Sequence, residues 1–247
     1  LIELVYLNEP KTFYKFGDGD YFFLRKEPVG SATPGRRALS KGYDQINHEA
    51  FVTGAQLCDY YTCEIYPTNR GRFAQVIDRK VDYPAEFGYG LVTNKWLLET
   101  FSGRIGLIGA DQKMNIIQNL MEAPQYQDYL GLEKFEDYIS LPQKFACDDI
   151  DATEQMVAEQ LKNSTSKIFL MGMGHVKSGL IHRLKKHANA VFLDVGASID
   201  ALAGIIDVNR PFAGDWTNYQ IDEPHLYEGV DFLAYEGQGK HITLARE

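Results

Sequence analysis

From Arg104 onward, short apolar runs alternate with segments in which apolar residues return every three or four positions. Alternation of that kind marks β-α-β units that build a parallel sheet. Strands are expected at Arg104–Gly109, Tyr138–Leu141, Lys167–Met171 and Ala190–Val195, and helices at Asn94–Phe101, Gln112–Met121, Asp151–Lys162 and Val176–Ala188. KIFLMGM and AVFLDVG are nearly continuous in hydrophobic residues, as strands buried on both faces must be. Asp149 or Asp151 can cap the helix that follows them in sequence, and an acidic first turn suits the helix dipole. Upstream, Ile46, Ala50, Phe51, Leu57 and Tyr61 lie near a 3.6-residue period, which predicts a helix over Tyr43–Tyr66. Pro28–Gly42 and Tyr83–Gly90 read as loops, and Val208–Glu247 has weak periodicity.

The expected fold is therefore α/β, a Rossmann-like, mainly parallel sheet flanked by helices. In such sheets ligands bind beyond the carboxyl ends of the strands. Gly109-Ala110-Asp111, Gly172-Met173-Gly174-His175 and Asp194-Val195-Gly196-Ala197-Ser198 are the corresponding places here. A chain of 247 residues is long enough for one such domain, and a single domain over residues 1–247 is the expected organisation. Leu1 rather than Met stands first, which suggests part of a longer polypeptide and leaves room for other domains.

Composition narrows the function. A net charge of -9 argues against nucleic-acid binding, which depends on clustered Lys and Arg. Cys58, Cys63 and Cys147 are odd in number and lack CxxC spacing, so neither a disulfide framework nor a structural zinc site is expected. No run approaches the roughly 18 apolar residues of a membrane span, and no secretory signal opens the chain. A soluble, cytoplasmic protein is expected.

The densest chemistry lies in FYKFGDGDYFFL, Phe13–Leu24, where Asp18 and Asp20 stand two apart between glycines. Mg²⁺ and Mn²⁺ favour oxygen ligands from one or two carboxylates together with phosphates and water. Gly17 and Gly19 would let the backbone turn and keep side chains away from a diphosphate. A lone DxD is more often a solvated turn or helix cap than a metal site; the aromatic setting of Tyr14, Phe16, Tyr21, Phe22 and Phe23 favours the metal reading, because desolvated carboxylates need a partner. GMGH would offer backbone N–H groups of Gly172, Gly174 and His175 at a helix start, a cradle for an anion, although His175 reads equally as a structural residue. LDVGASID, with Asp194, Gly196 and Asp200, also shares features with S-adenosylmethionine-dependent methyltransferases. GDWTNYQ, Gly214–Gln220, reads as an acceptor wall or as a surface loop.

Taken in order, these segments resemble the glycosyltransferases with the GT-D fold, a family first described as a bacterial domain of unknown function. That family opens with a phrase like RFGDGE, matched by Lys15-Phe16-Gly17-Asp18-Gly19-Asp20 with Lys for Arg and Asp for Glu. Its middle is resembled by LPQKFACDDIDATEQMVAEQL, and its last part by KIFLMGMGHVKSGLIHRL and FLDVGASID, where Ala197 replaces the family's His. The resemblance implies a nucleoside-diphosphate sugar donor, with UDP the expected carrier, a divalent cation (Mn²⁺ or Mg²⁺), and a glycan or glycoprotein acceptor. It also implies that Asp18 and Asp20 are metal and diphosphate ligands and Lys15 a phosphate or base contact, with Gly172, Gly174 and Asp194 lining the cleft. If transfer inverts the sugar, one carboxylate must take the acceptor's proton; Asp200 and Asp215 are the candidates, each explained equally by helix capping or loop solvation. Asp20 is expected to be a surface-cleft carboxylate that carries no core stability. Methyl transfer, or a non-catalytic carbohydrate-binding module using Tyr89, Phe87, Trp216 and Tyr219, remain the alternatives.

Overall fold

Helices that cross between parallel strands cover both faces of their sheet, so such strands can be apolar on both sides. The structure, a computed structural model, describes residues 1–26, 46–142, 146–207 and 242–243. In chain order the first half runs α1 (Ile2–Tyr6), β1 (Lys11–Phe16), α2 (Asp18–Leu24), α3 (His48–Gln56), β2 (Tyr60–Cys63), α4 (Pro67–Val76), β3 (Tyr83–Pro84), α5 (Ala85–Thr93) and α6 (Trp96–Thr100). The second runs β4 (Ile105–Ala110), α7 (Asp111–Leu120), α8 (Pro124–Leu130), β5 (Asp137–Leu141), α9 (Ile150–Leu161), β6 (Ile168–Gly172), α10 (Lys177–Leu184), β7 (Val191–Asp194) and α11 (Ser198–Leu202). A short 3₁₀ turn, Gly174–Val176, leads into α10. Two-residue strands β8 (Ile206–Asp207) and β9 (Ile242–Thr243) pair antiparallel apart from the main sheet.

Seven strands form one sheet in the order β3-β2-β1-β7-β6-β4-β5, and every pairing is parallel. Alternate residues feed two separate cores. Phe13, Leu107, Leu170 and Leu193 pack with α1, α5, α6, α7, α8 and α11, whereas Tyr14, Phe16, Ile108, Phe169 and Phe192 pack with α2, α3, α4, α9 and α10. This order sets β1 beside the central strand β7, in the register Lys11↔Val191 to Phe13↔Leu193, so that their carboxyl ends lie together.

The predicted α/β class and its parallel sheet are present, and β4 to β7 lie within a residue or two of the sequence expectation. Asp149 caps α9, its side chain accepting from Ala152 N at 2.9 Å. The helix predicted over Tyr43–Tyr66 is shorter. It ends at Gln56, Leu57 is 53% exposed, and Tyr60–Cys63 pairs with β1 as a strand. The apparent helical period continued only because the exposed Leu57 and the strand residue Tyr61 fell in phase with it. Tyr83–Gly90, expected as a loop, is β3 and most of α5. Helix α10 stops at Leu184, short of the expected Ala188. Pro28–Gly42 and the tail containing Gly214–Gln220 lie outside the described residues.

Helices α3 and α10 meet at glycines. A Cβ on Gly54 would sit 2.5 Å from the Ser178 carbonyl oxygen and 2.9 Å from the His182 ring, so only glycine permits this approach. Gly54→Ala should therefore lower stability by about 1–3 kcal/mol, the usual cost of overpacking, and thermal melting should show it. Gly71→Ala, in α4 with nothing near its Cβ, should instead raise stability by roughly 0.5–1 kcal/mol.

At the same crossing, His182 Nδ1 is buried and has no hydrogen-bond partner among the described residues. Burial, reinforced by Arg183 and Lys186, lowers its pKa from 6.5 to about 4. The unfolded chain takes up this proton first as the pH falls, so the folded state should lose stability between 6.5 and about 4. Denaturant titrations across that range should show a shallower slope for His182→Gln.

Candidate active site

Gly17, extended at φ -122° and ψ 175°, is the cap from which α2 starts, so the Asp18-Gly19-Asp20 motif is a first helical turn rather than a free loop. Asp20 reaches back to accept from Gly17 N at 2.7 Å, half of a capping box, and acidic residues suit this end of the helix dipole. Asp20 is 5% exposed, which corrects the expectation of a surface-cleft carboxylate without structural weight. Asp18 is the first residue of α2.

The burial of Asp20 is made possible by Lys177, at the start of α10. Its ammonium lies 3.1 Å from Asp20 Oδ2 and 2.8 Å from Asp194 Oδ2, donates to the Lys15 carbonyl, and sits 4.8 Å above the Tyr14 ring. Asp194, the last residue of β7, accepts in addition from Lys15 N at 3.2 Å and Gly196 N at 3.0 Å. Burial works against the charge on Lys177, but Asp194 and Asp20 outweigh it and hold its pKa above the ordinary lysine value. One cation thus bridges two inward carboxylates that would otherwise face each other, offsetting part of their charge.

Lys15 leaves β1 on the opposite face of the sheet from Tyr14. Its side chain runs beneath two turns: Cβ atoms placed on Gly17 and Gly196 would each come within 3.4 Å of the ammonium. Gly196 has φ +52°, a conformation that favours glycine. The ammonium sits 5.1 Å over the Tyr89 ring of α5. Burial again opposes the charge, while Tyr89, Asp194 and Glu64 favour it, and the pKa lies above the ordinary lysine value.

Lys15, Gly17, Asp20, Asp194 and Gly196 are therefore brought together where β1 and β7 end. Gly19 follows in the first turn of α2. Gly172 serves packing, because a Cβ there would meet Ile199 at 2.8 Å and the Gly196 carbonyl at 2.9 Å. Gly174 is exposed with φ +59°, and His175 stacks on Phe23 at 4.7 Å between ring centroids. Asp200 is drawn away by an ion pair with Lys113. Asp215 lies outside the described residues.

Sequence reasoning missed Lys177 and the place of Tyr89 beside Lys15. A signal for the first was available: a lysine in the first turn of a helix opposes the dipole and needs a local reason. Tyr89 was named only as an aromatic of the binding-module alternative, and reading its segment as a loop hid its approach to Lys15.

As to a cation, Asp20 Oδ2 is engaged by Gly17 and Lys177, while Oδ1 takes no hydrogen bond from a described residue. Among the described residues no three His, Cys, Asp or Glu side chains cluster as a closed metal site. This donor set suits an ion of the Mg²⁺ or Mn²⁺ kind that is held by one or two carboxylates and completed by phosphate oxygens and water.

No family profile and no curated protein matches the sequence. Two solved structures are similar in fold. A glycosyltransferase (DUF1792) from Streptococcus sanguinis superposes with a TM-score of 0.56 at 11% identity, over 96% of this chain and 94% of that one. A selenomethionine-substituted structure of domain of unknown function 1792 gives 0.51 at 12% identity, over 96% and 91%. The chain therefore has the α/β fold of the DUF1792 structures, the one of which is a glycosyltransferase.

Proposed function

We propose that this chain is a glycosyltransferase that takes a sugar from a nucleoside-diphosphate sugar, with UDP as the expected carrier, and passes it to a hydroxyl of a glycan or glycoprotein. The observation that carries this reading is the union, at the ends of β1 and β7, of the buried Lys15 ammonium with the Asp18-Gly19-Asp20 helix start. A diphosphate needs both a cation for its oxygens and carboxylates to hold a metal partner. The fold shared with the Streptococcus sanguinis glycosyltransferase supports the same reading.

In this reaction the bond from the anomeric carbon to the β-phosphate oxygen breaks, a bond to the acceptor oxygen forms, and the acceptor's proton leaves. Asp18 and Asp20 would hold Mn²⁺ or Mg²⁺, which when bound would supply Lewis-acid neutralisation of charge on the diphosphate. Lys15 contributes a fixed positive charge to the same leaving group, in a site where low dielectric strengthens it. Gly17, Gly19 and Gly196 keep side chains out of the approach to the strand ends, and Gly174 and His175 would flank it from the end of β6. Asp194 orients Lys177 and the Gly196 turn. Asp200 and Asp215 remain the candidates for accepting the proton. In the case of Asp200, release from Lys113 would be required.

Methyl transfer fits less well, because Asp194 is 4% exposed and committed to Lys177 rather than open to a cofactor hydroxyl. Among the described residues no helix is long and apolar enough to cross a membrane. Cys58, Cys63 and Cys147 are free and buried, with burial pushing the thiols of Cys58 and Cys147 up to about 12. Unreactive free thiols accord with a cytoplasmic setting.

The test is a screen of sugar nucleotides for release of nucleoside diphosphate, with Mn²⁺ and with chelator. One sugar nucleotide should be consumed in a metal-dependent way, and Asp18→Ala should reduce turnover at least a hundredfold. Stabilisation by S-adenosylmethionine regardless of chelator, with no sugar nucleotide turned over, would reject the reading.

A further inference from the structure

Beside Asp200 and Asp215, the fold brings a further carboxylate to the strand ends. Asp20 and Asp194 share Lys177, and Asp200 is paired with Lys113, so each would have to give up a lysine to reach a substrate proton. Glu64 has no such tie. It follows the last residue of β2, one place beyond the pair Phe16↔Cys63, and so leaves the sheet at the level at which Gly17 leaves β1. Neighbouring strands run about 5 Å apart, which sets Glu64 beside the start of α2.

The Glu64 side chain is half-buried, held at one oxygen and open at the other. Asn69, buried in the first turn of α4, donates its amide to Glu64 Oε2 at 2.6 Å. Arg70 Nε donates at 3.1 Å to the Glu64 backbone carbonyl rather than to the carboxylate. Glu64 Oε1 takes no hydrogen bond from a described residue. Around it the surface is apolar. Of the nine large hydrophobic residues exposed among the described residues, four flank Glu64: Ile65 and Tyr66, which follow it, Tyr83 in β3 and Phe87 in the first turn of α5. Ile65 N donates to Glu86 Oε1 at 3.1 Å, which ties the turn after β2 to the start of α5. Tyr66 and Phe87 are 54% and 62% exposed. An exposed apolar patch of this kind beside a catalytic cleft marks a binding surface, and aromatic rings next to a carboxylate suit a pyranose, whose C–H face packs on a ring while its hydroxyls donate to oxygen.

We infer that the acceptor is a pyranoside bound over the end of β2, where Glu64 takes the proton of the attacking hydroxyl and the rings of Tyr66 and Phe87 hold the acceptor sugar. Asn69 is a positioning residue that acts through Glu64. The inference rests on the glycosyltransferase reading and supplies its acceptor half. The acceptor O–H bond breaks and its proton passes to Glu64 Oε1, while the oxygen's electron pair forms the bond to the anomeric carbon. The pair of the broken bond leaves with the nucleoside diphosphate, and Glu64 returns the proton to water. Displacement by this route inverts the anomeric centre.

Initial rates should be measured with a sugar nucleotide that the wild-type chain turns over and a panel of p-nitrophenyl glycopyranosides as acceptors, alongside melting temperatures and uridine diphosphate binding in Mn²⁺. Glu64→Gln should lower kcat for transfer by about a hundredfold or more, with uridine diphosphate binding and melting temperature unchanged, and formate should restore part of the rate to Glu64→Ala. Asn69→Ala should lower kcat several-fold without moving the KM of either substrate, a split that a merely structural asparagine would not give. Tyr66→Ala and Phe87→Ala should raise the glycoside KM several-fold and leave the sugar-nucleotide KM alone. Met156→Ala, at an exposed position of α9, should change neither. The inference is overturned, and the glycosyltransferase reading kept, by any of four results: Glu64→Gln transfers at the wild-type rate or loses uridine diphosphate binding; formate restores nothing; the product keeps the donor's anomeric configuration; or the wild-type chain turns over a sugar nucleotide and glycosylates no glycoside. A wild-type chain that turns over no sugar nucleotide at all removes the reading and the inference together.

Discussion

The contact on which the site depends is the Lys177 ammonium set between Asp20 and Asp194 and under the Lys15 carbonyl. It joins the starts of α2 and α10 to the ends of β1 and β7, segments far apart in sequence. Such buried ion pairs contribute little net stability compared with an apolar replacement, because desolvation offsets much of the attraction. What this one supplies is direction. Through Asp20 Oδ2, Lys177 and Asp194, the first turn of α2 is tied to the Gly196 turn.

The sheet converts that direction into a division of charge. Successive residues of β1 point to opposite faces, so Tyr14 enters the core beside α10 while Lys15 turns toward Tyr89 of α5. Two carboxylates and the Lys177 ammonium are gathered on one face, and the Lys15 ammonium lies on the other. The glycines at Gly17 and Gly196 matter because their missing side chains leave the space in which that ammonium lies. This is a better account of those two positions than turn flexibility alone, though Gly196 also needs its positive φ.

The sheet from β4 to β7 was legible in the sequence because buried parallel strands are apolar without interruption, as Ile105–Ala110 and Val191–Asp194 are. The strands β1 and β2 were not: Lys11 and Lys15 break the apolar pattern of the first, and the second merged with the helical period before it. Lys15, Gly17, Asp20, Asp194 and Gly196 were all singled out in sequence, and the fold gathers them. Their roles were less legible, since Gly172 turned out to be a packing glycine under Ile199 and Asp200 a partner of Lys113. Spacing along the chain reports which residues are unusual, but the partner that makes each burial tolerable comes from another element.

The most direct measurement is a crystal structure of the chain grown with uridine diphosphate and Mn²⁺. The account predicts the diphosphate at the carboxyl ends of β1 and β7, with an oxygen in hydrogen-bond reach of Lys15 Nζ and the metal on the Asp18-Gly19-Asp20 turn. A nucleotide bound elsewhere, for example in the hollow lined by Asn47, Thr53, His182 and Arg183 between α3 and α10, would contradict it.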